Sequence, residues 1–177
     1  MKKLALFLAL ALLASLFPAA MAEETLIVYN CYDYIDSDVI KDFEKETGIK
    51  VKYLNYTTNE EMYMKMTSGG GVYDVIFPSD YMIERLIAED ALMELDYSKI
   101  PNANGMLDWL KDTDYDAGSK HSVPYMWGTT GLIYNTTMVE EPPTKWADMW
   151  DVAYTNNVLM FNNSRDAYAI AAKTIGL

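Results

Sequence analysis

The sequence predicts an α/β protein whose core is a parallel, doubly wound sheet. Three observations predict it. Apolar, β-rich runs alternate with stretches of helical period. The connections are long enough for a helix to cross between parallel strands. Cap residues and glycines punctuate the helical stretches at their ends.

The elements follow in order. Thr25 to Tyr29 is a buried strand. Asp36 or Ser37 caps a helix running to about Glu46, with Val39, Ile40 and Phe43 on one face, and Gly48 ends it. Ile49 to Leu54 is the next strand. Thr57-x-x-Glu60 has the pattern of a capping box and opens a helix to about Thr67. Tyr73 to Phe77 is a strand, followed by a helix from Asp80 to Ala88, and Met93 to Leu95 is a candidate short strand. Residues 96 to 120 are polar and hold a short helix near Met106 to Leu110. Val123 to Gly128 is extended and Pro-bounded, and Leu132 to Tyr134 is a further strand. Glu140 to Thr144 links into a helix on which Trp146 and Trp150, four residues apart, read as core anchors. Val158 to Phe161 is a strand that feeds an Ala-rich helix, Arg165 to Ile175. That last βα unit is not closed by another strand, so the chain is expected to be a piece of a larger protein.

Residues 1 to 22 stand apart. Lys2 and Lys3, the apolar run Leu4 to Phe17 and the small-x-small site Ala20-Met21-Ala22 form a secretory signal peptide. No second long apolar segment follows, so no transmembrane anchor is expected after cleavage. Net charge is −12, and falls to −14 without the two signal lysines. That argues against nucleic acid and anionic membranes as partners. Cys31 is the only cysteine and His121 the only histidine. No intramolecular disulfide, Cys- or His-cluster metal site or Cys/His dyad can be assembled. No Gly-x-Ser-x-Gly elbow is present, and His121 reads as a surface residue in a polar turn. Gly69-Gly70-Gly71 lacks the Gly-Lys-Ser/Thr of a phosphate loop.

In a parallel α/β sheet, ligands bind beyond the carboxyl ends of the strands. Three predicted loops lie there. The first carries Tyr32, Asp33 and Tyr34, the second Ser79, Asp80 and Tyr81, the third Asn163 and Asp166. A carboxylate between two tyrosines is a receptor for an organic cation, by ion pairing and by the quadrupole of the ring faces. Taken alone, the loop reads first as an exposed Asp beside two half-buried rings. Ser79 or Asp80 either meets a ligand or caps the next helix, and Asn163 or Ser164 has the same two roles open to it. Asp166 either meets a ligand or complements the helix dipole. Trp127 lies in a segment that could line a cleft.

Several segments together carry a family resemblance. They are Tyr29-Asn-Cys-Tyr-Asp-Tyr34, Phe43-Glu-Lys-Glu-Thr-Gly-Ile-Lys-Val51, Asn59-Glu-Glu-Met-Tyr63, Tyr73-Asp-Val-Ile-Phe-Pro-Ser-Asp-Tyr81, Val123-Pro-Tyr-Met-Trp-Gly128, Trp146-Ala-Asp-Met-Trp150 and Ser164-Arg-Asp166. In this order they resemble the PotD-like periplasmic spermidine/putrescine-binding proteins of polyamine ABC transporters. The resemblance implies a type II periplasmic-binding-protein-like fold of two α/β lobes closing on a ligand. Lobe 1 would span residues 23 to 129, and residues 130 to 177 would begin an incomplete lobe 2. It implies a polyamine ligand, a membrane permease as partner, a monomer in the periplasm or otherwise outside the cytoplasm, no cofactor and no catalysis. It assigns Tyr32, Asp33, Tyr34, Ser79, Tyr81, Asn163 and Asp166 to the ligand, with Cys31, Asp80 and Trp127 beside them. Two departures stand out. Cys31 replaces a common tryptophan and Asn163 a common acid, which opens the alternative of another small solute on the same fold. A secreted hydrolase is the reading from another class, and the lone His121 argues against it.

Overall fold

The computed structural model describes residues 25–177 except 33 and 70. The predicted signal peptide and Asp33 therefore lie outside the described residues. The chain divides into two compact units at Leu92/Met93.

In the first unit, β1 (Thr25–Cys31), β2 (Lys50–Tyr56) and β3 (Val75–Ile76) form a parallel sheet in the order β2-β1-β3. Helix α1 (Ser37–Thr47) joins β1 to β2, α2 (Asn59–Thr67) joins β2 to β3, and α3 (Asp80–Ala88) follows β3. The register pairs Tyr29 with Leu54 and Ile76, and Cys31 with Tyr56, so these side chains share one face. That face carries the core, where Tyr29 and Tyr56 meet Met62 of α2 and Met82 and Leu86 of α3. Met62 and Leu86 are wholly buried, each contributing roughly 1.5–3 kcal/mol by removal from water. The Tyr29 ring stacks on Tyr73 at 4.5 Å and meets Tyr56 edge-on at 5.1 Å, pairs worth about 0.5–1.5 kcal/mol beyond their area.

Local chemistry sets the element ends. The Asp36 side chain accepts the N–H of Asp38, and Gly48 closes α1 at φ 75°, donating its N–H to Glu44 O. That left-handed angle suits a residue without Cβ. The cap of α2 is Thr58, not Thr57. Thr58 Oγ1 accepts the N–H of Glu61, and Glu61 returns to the N–H of Thr57. The capping pattern therefore sits one residue later than predicted, because Thr58-x-x-Glu61 satisfies it as well as Thr57-x-x-Glu60. Strand β3 is shorter than the predicted Tyr73–Phe77. The Asp74 carboxylate takes the N–H of Ile27 at 2.7 Å, in place of a backbone carbonyl.

In the second unit, the segments predicted as strands at 93–95, 132–134 and 158–161 form none. Leu95 donates its N–H to Lys120 O, but no ladder forms at any of the three among the described residues, and a strand exists only through its ladder. The predicted helix at Trp146 is a 3-10 turn, Trp146–Trp150, and Trp150 is 56% exposed. At three residues per turn, positions i and i+4 lie about 120° apart, so the two indoles do not share a face as core anchors would. Short 3-10 turns at Pro101–Gly105 and Asp108–Leu110 replace the single predicted helix there. A polar knot closes residues 112 to 122. The buried Asp116 accepts the N–H groups of Lys120, His121 and Ser122 and the Ser122 hydroxyl. Helix α4 (Ser164–Thr174) packs on the 146–150 turn and buries Ile170. Among the described residues, no helix is long and apolar enough to cross a membrane.

Candidate functional site

The strand order makes the site. From β1 the chain crosses to β2 on one side, then returns past β1 to β3 on the other. The order reverses at β1, and the crevice outside the carboxyl ends of β1 and β3 is the topological switch point where open α/β sheets bind ligands. The first and second predicted loops follow those two strands.

The β1 loop is held by β2. Tyr32 adopts φ 45°, a left-handed angle unusual for a tyrosine. Its N–H donates to Tyr56 O at 3.1 Å, and its carbonyl accepts from Asn55 Nδ2 and the Tyr53 hydroxyl. So pinned, the rings of Tyr32 and Tyr34 stand 48% and 52% exposed, with centroids 6.3 Å apart and planes inclined at 56°. Cys31 packs instead against the core on the Tyr29/Tyr56 face, where burial pushes its thiol pKa up.

The β3 loop is held by the start of α2. Ser79 occupies the N-cap position of α3 but makes no side-chain cap bond. Its Oγ accepts from Asn59 Nδ2 and its N–H donates to Asn59 Oδ1, both at 3.0 Å. Asn59 is itself buried. The Tyr81 hydroxyl donates to Glu60 Oε1 at 3.2 Å. Asp80 turns back to the N–H of Tyr81. The two loops converge on Tyr56, whose hydroxyl donates to Phe77 O at 2.5 Å. Its phenol pKa is raised first by burial, then by neighbouring Cys31, Tyr29, Tyr81 and Tyr34. Tyr34 of one loop and Tyr81 of the other thus lie near the same buried phenol.

The remaining predicted residues belong to the second unit. Asn163 caps α4, its Oδ1 accepting the N–H groups of Arg165 and Asp166 at 3.0 and 3.2 Å. Asp166 is half-buried in that first turn. Trp127 is 71% exposed and meets Trp109 edge-on at 5.3 Å. Among the described residues, no three His, Cys, Asp or Glu side chains cluster as metal ligands.

Sequence reasoning missed Asn55, Asn59 and Glu60. Asn59 had a signal. An asparagine inside a helix start, after two cap-competent threonines, has no capping task left.

A rim of tyrosines and hydrogen-bonding side chains thus lies at the switch point of a parallel α/β sheet. The chain belongs to the bacterial extracellular solute-binding proteins, whose family profile matches residues 38–176. It is 38% identical over 161 residues to spermidine/putrescine-binding periplasmic protein 1 of Haemophilus influenzae, covering 89% of this chain and 44% of that one. Among solved structures it resembles the spermidine/putrescine ABC transporter substrate-binding protein PotD of Streptococcus pneumoniae, crystallised with calcium and HEPES, with a TM-score of 0.71 and 40% identity. That match covers 86% of this chain and 47% of the other. It also resembles the PotD lipoprotein of Treponema pallidum, with a TM-score of 0.81, 27% identity and coverage of 86% and 48%. The chain spans about half the length of the curated relatives it matches.

Proposed function

We propose that this chain supplies one wall of an extracytoplasmic binding protein that captures a polyamine, spermidine or putrescine, and hands it to the permease of an ABC transporter. The tyrosine-rimmed switch point carries the reading. Asp33 would take ammonium protons through charge-assisted bonds. The rings of Tyr32, Tyr34 and Tyr81 would flank the methylene chain and add cation–π attraction, about 0.5–1 kcal/mol each where exposed and ~2 where desolvated. Ser79, Asn163 and Asp166 would complete the polar contacts of this part of the cleft. Residues 23 to 129 would form lobe 1 and residues 130 to 177 would open lobe 2, with lobe closure coupling capture to delivery. Residues 1 to 22 would direct export and be cleaved, leaving a monomer. No catalysis is assigned. His121, the only histidine, sits by Met93 O in the polar knot of the second unit.

One observation favours a second reading, another small organic cation. Asn163 spends its oxygen on two helix N–H groups and brings no charge where an acid would.

The test is an NMR titration of the chain with spermidine, putrescine and a neutral sugar. The expected result is weak, millimolar-range shifts from the amines at residues 31–34, 79–81, 163 and 166. Shifts there from the sugar, and none from either amine, overturn the polyamine assignment.

A further inference from the structure

We propose that Asn59 and Glu60 are positioning residues, which hold Ser79 and Tyr81 in register for the solute. The first two residues of α2 would thus set the geometry of the β3 loop, and the claim that the loop serves a solute rests on the polyamine reading. Inside the β3 loop Asp80 accepts the N–H of Tyr81, and the Ser79 side chain is held from outside it. Ser79 caps α3 by position yet gives α3 no side-chain bond. Its hydroxyl and its N–H face the single Asn59 amide in a two-bond clamp. Asn59 is 6% exposed, so an unmatched amide there would be costly, and the clamp is the arrangement that satisfies both of its ends. One residue on, Glu60 receives the Tyr81 hydroxyl. That bond ties the hydroxyl end of the half-buried Tyr81 ring to α2.

The rest of α2 reinforces the arrangement. Thr58 and Glu61 lock its first turn by capping. Met62 anchors it in the core between Tyr56 and Leu86. The loop after β3 is thereby tied to a rigid element through side chains that need not touch the solute. Affinity built on such a loop depends on its being preorganised, since ordering it on binding would consume interaction energy.

The experiment compares Asn59→Ala, Glu60→Ala and Glu60→Gln with Gly48→Ala. Gly48 lies at the opposite end of β2 and reports stability loss without touching the loop. Each variant is titrated with spermidine at the same interval below its own melting midpoint. Amide hydrogen exchange of residues 79 to 81 is measured without amine. Asn59→Ala and Glu60→Ala should each weaken spermidine binding about tenfold, the equivalent of one net hydrogen bond. Glu60→Gln, which keeps an acceptor for Tyr81, should recover most of that loss, and Gly48→Ala should show none. Exchange at residues 79 to 81 should quicken in Asn59→Ala while exchange at 32 and 34 holds. Unchanged exchange in Asn59→Ala, or an equal affinity loss in Gly48→Ala, overturns the proposal. Failure of Glu60→Gln to recover would overturn the anchoring role of Glu60. If the unsubstituted chain shows no amine titration, the polyamine reading falls, and the exchange measurement still decides the clamp.

Discussion

Tyr32 holds a backbone angle that costs a residue with a Cβ roughly 1–2 kcal/mol. Three hydrogen bonds from β2 sustain it. The sequence offers the ring as a candidate cation-facing aromatic, and the structure leaves it 48% exposed. Its left-handed turn was not legible there, because the partners that enforce it lie more than 20 residues away on another strand. Cys31 shows the same limit. The family resemblance set it beside the site, in the place of a common tryptophan, whereas strand alternation points it at the core. Burial raises its thiol pKa, so less thiolate is present at neutral pH and alkylation slows. Iodoacetamide at pH 7.5 should modify it at least several-fold more slowly than free glutathione, roughly in proportion to the thiolate lost. A rate equal to glutathione's would show the thiol to be unburied. Asp33 is the residue on which charge recognition depends in the polyamine reading. Asp33→Asn should weaken a diamine about tenfold or more, as befits a charge-assisted bond, and leave weak binding of a neutral sugar as it was. Calorimetry or NMR titration would read both, and equal loss for both ligands would assign Asp33 a structural role.

At the scale of elements, the first unit was legible almost throughout. Strand–helix alternation, Gly48 and the Asp36 cap carried enough local information to place β1, α1, β2, α2 and α3. The errors fell where two local solutions compete or where a distant partner decides. Thr57 and Thr58 each stand three residues before a glutamate, and in the structure it is Thr58 whose hydroxyl accepts the N–H of Glu61. Thr58→Ala should therefore cost ~1 kcal/mol, the usual value for a lost N-cap. Thr57→Ala should cost only a few tenths, as an exposed substitution does. Urea unfolding of the two variants distinguishes them, and a larger loss at Thr57 would restore the earlier register. In the second unit, apolar runs such as 132–134 and 158–161 look like strands because β patterning records burial on a sheet. Patterning cannot supply the ladder partner. Ile133 and Leu159, 99% and 95% exposed, show what such a run becomes without one.

At the scale of the whole chain, the two units carry different chromophores and different acid sensitivities. All four tryptophans, at 109, 127, 146 and 150, belong to the second unit. Its fluorescence is therefore a private reporter of that unit, while the tyrosine-rich core of the first is silent in it. The second unit also holds the buried carboxylate of Asp116. Burial alone would raise its pKa. The Ser122 hydroxyl and the N–H groups of His121, Ser122 and Lys120 outweigh burial and hold it below the ordinary aspartate value. The sign follows from linkage. With the folded pKa depressed, the unfolded chain binds the proton more readily. The stabilisation is whole above the unfolded value and drains away as pH falls through the folded one. Tryptophan fluorescence should accordingly report an acid transition that begins as pH drops below about 4, the unperturbed aspartate range. Asp116→Asn replaces an acceptor of four hydrogen bonds with a group that is half donor. It should lower the stability of this unit at pH 7 and flatten its dependence on pH in the acid range. Amide hydrogen exchange of the first unit's helices should keep its own profile in that variant. A fluorescence transition that survives Asp116→Asn unchanged would place the acid-sensitive group elsewhere among the many carboxylates of this acidic chain.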